Sequence, residues 1–270
     1  MEIPLPKRRS LFVQIYNLLQ YREMLVLWTA RELRSRYRQS FLGIGWAFLQ
    51  PLAQTIVLSL VFGIFVKVPS DGFPYPIFLY AGLLPWTLFA SSITSAIPSV
   101  SGNMPLVGKI YFPREILPIA ATFTRVFDFL VASVVFIALA IWYHVPFHAT
   151  VLYVPVLLLI QIFLALGIAL VGSACNVFLR DISFALPVAM QLWMYATPVI
   201  YPLQVVPERW RNLYLLNPMA GIIDSYRRVI LAGLPPDIHS LQLAIVVTIL
   251  LCLFGYSYFK KLELAMSDVL

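Results

Sequence analysis

The chain has 270 residues, of which 61% are hydrophobic and only 11% charged, with a net charge of +7. Soluble domains carry roughly 45 to 50% apolar and about 25% charged residues, which excludes a water-soluble globule. At about 20 apolar residues per crossing, the material suffices for six or seven membrane helices and leaves no room for a sizeable soluble domain. In such a protein the basic excess reports topology rather than nucleic-acid binding, so the positions of the charges matter more than their sum.

Residues 1–40 hold eight of the 19 Lys and Arg: Lys7, Arg8, Arg9, Arg22, Arg31, Arg34, Arg36 and Arg38. Lys7 to Arg9 precede an apolar stretch, but Arg22 and Glu23 interrupt it and no small-residue cleavage site follows, so a secretory signal is not expected. Leu11, Ile15, Leu18, Leu19, Leu25 and Trp28 recur near helical spacing. This predicts a cytoplasmic, amphipathic interfacial helix whose arginines face phosphate headgroups or a partner. The same charges also serve simply to fix topology.

Apolar blocks then run over about 44–66, 77–100, 116–143, 151–179, 182–203 and 241–259, uncharged apart from Arg125 and Asp128 in the third. Each is long enough to cross the hydrocarbon core. With the N-terminus in the cytoplasm, six crossings put 13 basic residues inside and five outside, the latter being Lys67, Arg209, Arg211, Arg227 and Arg228. The positive-inside rule selects this orientation, and it returns the C-terminus, with Lys260 and Lys261 after the last block, to the cytoplasm.

Residues 101–114, with Pro105 and Pro113, form the cytoplasmic connection between the second and third spans, where another protein can push. Gly102 to Ile110 looks superficially like a phosphate-binding loop. It has five residues between its glycines instead of four, Ile110 stands where a hydroxyl is required, and no strand precedes it. No ATP site is expected there.

The third block contains Arg125 and Asp128, three residues apart and so on one helix face. An ionised group at bilayer depth costs about 2.5 to 3.5 kcal/mol, so the pair must face protein or a water-filled cavity, as a structural ion pair or as a functional site. A single buried acid argues against proton-coupled transport. Cys175 and Cys252 fall within apolar blocks and read as small packing residues, and His144, His148 and His239 have no carboxylate cluster near them, so neither a metal site nor an acid-base relay is expected. Residues 204–240 are too polar to span but remain amphipathic, which predicts two short re-entrant or interfacial helices broken at Asn217-Pro218, a gate or cap on the outer face. The predicted fold is an all-α polytopic membrane protein: six transmembrane helices within residues 41–270, an N-terminal interfacial helix over 1–40, and re-entrant helices before the last span.

Several motifs in this order resemble one family: Arg36-Tyr-Arg-Gln-Ser-Phe-Leu42-Gly43-Ile-Gly-Trp46-Ala47-Phe-Leu-Gln-Pro51, Gly82-Leu-Leu-Pro85-Trp86, Asn176-Val-Phe-Leu-Arg180-Asp181, Thr197-Pro198-Val-Ile-Tyr201 and Asn217-Pro218. Over about residues 10 to 262 the chain is similar to the permease subunits of ABC-2 type exporters of O-antigens, teichoic acids and capsular polysaccharides. The resemblance implies a bacterial inner-membrane homodimer joined to two copies of a separate ATP-binding subunit, which alone holds ATP and Mg²⁺; this chain has no cofactor of its own. It implies that Lys109, Tyr111, Phe112 and Arg114 belong to a coupling helix contacting that ATPase, beside the N-terminal helix. It places Arg180-Asp181 at the cytoplasmic membrane edge, locking the fourth and fifth spans or touching the ATPase. The implied substrate is a glycan on a polyprenyl-diphosphate carrier, favouring O-antigen or teichoic acid.

On that basis Arg36 and Arg38 are candidates to attract the carrier diphosphate. Trp46, Trp86, Trp193, Tyr195 and Tyr201 are candidates to line an aromatic conduit, although aromatic belts arise at the interfaces of any membrane protein. Two other readings compete: an ABC-2 permease for a drug or lipid, and a non-transporting membrane enzyme of glycan processing. The enzyme lacks clustered acids or a nucleophile and base.

Overall fold

The computed structural model describes residues 20–38, 41–107, 112–263 and 265–267. Among them every regular element is helical. The first, α1 (Arg22–Tyr37), ends near a turn in which Gly43 takes φ +50°. Only glycine adopts that conformation without penalty, and here it lets the amides of Gly45 and Ala47 bond the carbonyls of Leu42 and Ile44 as the chain enters α2 (Gly45–Leu58). Beyond Leu58 the coil widens to a π-helix over Ser59–Phe65. Gly63 there lies so close to the Tyr75 ring that a Cβ would sit 2.8 Å from Cδ1.

Five helical stretches are long and apolar enough to cross a membrane: Gly45–Phe65, Tyr75–Ser99, Ile116–Trp142, Ala149–Phe178 and Ile238–Glu263. They contain α2, α3 (Tyr75–Ala96), α5 (Ile116–Trp142), α6 (Val154–Phe178) and α10 (Ile238–Glu263), while α4 (Met104–Val107) is a single turn between α3 and α5. The stretch built on α3 is 78% buried and that built on α2 only 17%. The second apolar block is thus the central post of the bundle and the first its outer wall.

The fifth apolar block, 182–203, does not form one long helix. It folds as α7 (Asp181–Tyr195), 15 residues, followed by turns over 196–201. At 1.5 Å per residue α7 reaches about 22 Å, short of a hydrocarbon core of about 30 Å. Pro198 stops it, because the residue before a proline is driven out of the helical region. Two further short helices, α8 (Glu208–Tyr214) and α9 (Pro218–Ile230), precede α10 and are separated where Asn217-Pro218 occurs.

Of the stripe expected on the N-terminal helix, Leu25 and Trp28 fall within the described residues. Tyr21, Met24, Leu25 and Trp28 pack on a cluster containing Phe112, Ile116, Leu117 and Phe259, whereas Val26 and Leu27 of the same helix are exposed. Leu11, Ile15, Leu18 and Leu19 lie outside the described residues.

The closest helix crossing joins α6 to α10. A Cβ at Gly167 would meet backbone atoms of Leu251 and Cys252 at 2.8 and 2.9 Å, and one at Gly255 would overlap the Gly167 carbonyl. Small residues permit such approach where lipid supplies no hydrophobic drive between helices. Gly255→Leu should therefore destabilise the purified protein by about 1 to 3 kcal/mol. Chemical denaturation in detergent reads the loss, and Gly102→Ala, which would meet nothing within 4 Å, serves as the neutral control.

Candidate functional site

At one end of the bundle α1, α2, α3 and α5 enclose a cavity of about 260 Å³. The last turn of α1 supplies Arg36 and Tyr37, α2 supplies Trp46 and Gln50, α3 supplies Thr87, Ser91 and Thr94, and α5 supplies Arg125 and Asp128. The three-residue spacing puts Arg125 Nη1 3.3 Å from Asp128 Oδ2, on one face of α5. The same carboxylate oxygen lies 3.3 Å from Arg36 Nη1, and Oδ1 accepts the Tyr37 hydroxyl. Arg125 Nε also donates to Ser95 Oγ of α3 at 3.2 Å. Two guanidiniums face one carboxylate in the cavity, while Glu32, one turn back on α1, also acts electrostatically on Arg36. Arg36 and Trp46, sought from sequence as a carrier contact and as a conduit residue, thus share one cavity with the Arg125 and Asp128 pair. Arg38, at the end of α1, is exposed.

At the same end, Phe112 is buried and stacks on Trp28 with ring centres 6.2 Å apart. The Arg114 amide donates to Glu263 Oε1 at 3.2 Å and its guanidinium to the Glu263 carbonyl at 2.7 Å. Lys109 and Tyr111 lie outside the described residues. Buried Glu115 pairs with Lys260 at 2.6 Å, and Lys260 also reaches Glu263 at 2.9 Å. Burial raises the Glu115 pKa, and the adjacent ammonium opposes that rise. Asn176 bridges two turns: its Nδ2 donates to Ser101 Oγ at 2.8 Å, and its Oδ1 accepts from the Ser183 hydroxyl at 2.6 Å. Asn176 thus ties α6 to the start of α7, where the Ser183 amide also donates to the Arg180 carbonyl at 3.1 Å.

The opposite end is organised by Arg227, which topology alone had placed among the outer loop charges. Its side chain is buried and donates to four backbone carbonyls: Phe78 (3.3 Å), Pro198 (2.6 Å), Tyr201 (3.2 Å) and Val199. Its Cζ also sits 3.8 Å from the Phe78 ring centre. Gly82 makes the room, since a Cβ there would lie 2.5 Å from Arg227 Nη2. Burial pushes the Arg227 pKa down to about 10, with Asp224 and Asp71 pulling it back up, so the group stays charged at neutral pH.

Asn217 is the second organiser. It caps α9 by accepting from the Met219 amide, accepts the Trp193 indole N–H at 3.0 Å, and donates to the Ala196 carbonyl and to Thr197 Oγ1. Of the aromatic candidates here, Trp86 is buried and meets Trp193 edge-on at 6.5 Å, while Trp193 is half-buried. Tyr195 is exposed, and the Tyr201 hydroxyl bonds the Tyr195 carbonyl and the Tyr214 hydroxyl. Sequence reasoning missed Arg227 because an arginine on an amphipathic helix ordinarily faces solvent, and nothing in the spacing of the chain marks its approach to Gly82.

Regular structure that is wholly helical among the described residues, with five membrane-length helices and a charged cavity, defines a polytopic membrane protein. Residues 23–231 match the ABC-2 type transporter family, and the chain belongs to it. It is 33% identical over 250 residues to the O-antigen export system permease protein RfbA of Myxococcus xanthus, covering 92% of this chain and 95% of that one. It is 28% identical over 256 residues to the RfbA of Klebsiella pneumoniae, covering 94% and 98%. The polysialic acid transport protein KpsM of Escherichia coli is 23% identical over 241 residues, covering 87% and 92%.

Arg227→Lys keeps the charge but loses the planar fork that reaches several carbonyls at once. Each buried acceptor left unpaired costs about 1 to 3 kcal/mol, so thermal unfolding in detergent should show a clear loss. Arg209→Lys, at an exposed position, should stay within about 0.5 kcal/mol of the parent.

Proposed function

We propose that the chain is the permease subunit of an ATP-driven exporter of a polyprenyl-diphosphate-linked cell-surface polysaccharide, an O-antigen or a teichoic acid. In this reading two copies pair in a bacterial inner membrane with two copies of a separate ATP-binding subunit, and both termini are cytoplasmic. The sixth crossing is completed by α7 with the turns at 196–201, and α8 and α9 are re-entrant helices at the outer face. The observation that carries the reading is the two-arginine cavity beside α1, in a chain similar over nearly its whole length to permeases named for O-antigen export. An anionic diphosphate suits such donors, because charge-assisted bonds from guanidinium to phosphate are strong and directional.

The same end offers the mechanical linkage that ATP-driven transport requires. A partner pressing on residues 101–114 moves α1 through the Trp28 and Phe112 stack, α6 through Asn176 and Ser101, and α10 through the bonds from Arg114 to Glu263. Close-packed elements transmit such a push as rigid-body motion rather than absorbing it. The glycan then passes aromatic faces, which stack on sugar rings without a fixed hydrogen-bond pattern and let a polymer slide. Trp46, Trp193, Tyr195 and Tyr201 serve as that surface, with Trp86 buttressing Trp193 from the core.

Replacing residues 109–114 by a Gly-Ser linker should abolish polysaccharide export and substrate-dependent ATP hydrolysis in the reconstituted complex, with membrane insertion retained. Undiminished coupling would place the drive elsewhere. Trp46→Ala combined with Tyr195→Ala should reduce export of long glycan chains several-fold, measured as surface polysaccharide, while the permease still co-purifies with its ATPase. Unaffected export of long chains would end the aromatic-surface reading.

A further inference from the structure

Within the cavity Asp128 occupies the position that an anionic ligand would take. Three donors from two helices converge on its carboxylate: the guanidinium of Arg36 and the hydroxyl of Tyr37 from α1, and the guanidinium of Arg125 from α5. Both guanidinium contacts measure 3.3 Å, longer than the 2.7 to 2.9 Å of a strong charge-assisted bond. One carboxylate therefore shares two cations at stretched distances, with Ser95 accepting from Arg125 and Glu32 acting on Arg36 from one turn back as their further partners. A diphosphate brings more negative charge and more acceptor oxygens than a carboxylate, and each guanidinium can engage it with two parallel bonds.

We propose that Asp128 is a resident competitor for the diphosphate: in the empty cavity it ties the last turn of α1 to α5, and an entering diphosphate displaces it from Arg36, Arg125 and Tyr37 and frees that turn. This rests on the reading of the cavity as the carrier-diphosphate site. The consequence reaches beyond binding, because Trp28 of α1 stacks on Phe112. Release of one end of α1 by ligand alters how its other end bears on the segment that the ATPase drives, so ligand binding and ATPase engagement bias the same element. Such coupling is reciprocal, and the closed tie between α1 and α5 keeps an unloaded permease from responding.

The test uses the full-length chain in lipid nanodiscs, with farnesyl diphosphate as probe, inorganic pyrophosphate as the lipid-free arm and farnesol as the uncharged control. Farnesyl diphosphate should bind D128N at least five-fold more tightly than the parent, and should bind R36Q and R125Q at least five-fold more weakly. Pyrophosphate should follow the same order, and its affinity relative to farnesyl diphosphate tells whether the ligand is lipid-borne or free. If R36Q and R125Q weaken binding but D128N does not tighten it, the competitor role is overturned while the site stands. If farnesyl diphosphate binds no better than farnesol in every chain, the site and the competitor role fall together. A second measurement leaves Asp128 in place: spin labels at the exposed positions Ser35 in the last turn of α1 and Val134 of α5 should move apart when farnesyl diphosphate binds. An unchanged distance with probe bound would overturn the release of α1.

Discussion

The structure depends on how one broken helix end is satisfied. Backbone groups buried away from water must find partners, and at bilayer depth irregular backbone persists only where protein supplies them. Pro198 ends α7 early and leaves the carbonyls of Pro198, Val199 and Tyr201 without helical donors. Arg227, reaching from α9, answers all three and adds the Phe78 carbonyl of the central helix. Gly82 is the permissive partner in this arrangement, and Asn217 holds the same broken end from the other side. Three motifs that are far apart in the chain are one cluster in space.

The opposite end follows a different logic, built from ion pairs and aromatic stacking around the segment that connects α3 to α5. Glu115 is almost wholly buried, which is tolerable because Lys260 meets it directly. Removing one partner of such a pair strands the other charge and is far costlier than never having buried the pair. The network fixes the start of α5 to the end of α10, while the glycine contact between α6 and α10 leaves little slack further along. Together they make the last membrane helix a stiff strut between the two ends.

At the same end as that network the cavity gathers two guanidiniums around one carboxylate. Its walls come from α1, α2, α3 and α5 and include the hydroxyl side chains of Thr87, Ser91 and Thr94. Guanidiniums that share a single carboxylate retain donors for phosphate oxygens, which is the physical reason to regard the cavity as a binding site rather than as packing.

The sequence by itself determined the membrane class, the apolar blocks of all the long helices, the side-by-side placement of Arg125 and Asp128, and the break at Asn217-Pro218. These follow from hydrophobic run length, from the 3.6-residue period and from the backbone limits of proline, all of which are local. The family resemblance was legible too, because its motifs carry turn and cap residues. Only the tertiary structure decided that Arg36 and Tyr37 share a carboxylate with Arg125, that Arg227 is a buried donor rather than a loop charge, and that the fifth block is a short helix with a rescued end. Each of those depends on which side chain meets which backbone across large sequence separations, and hydropathy and spacing do not encode that pairing.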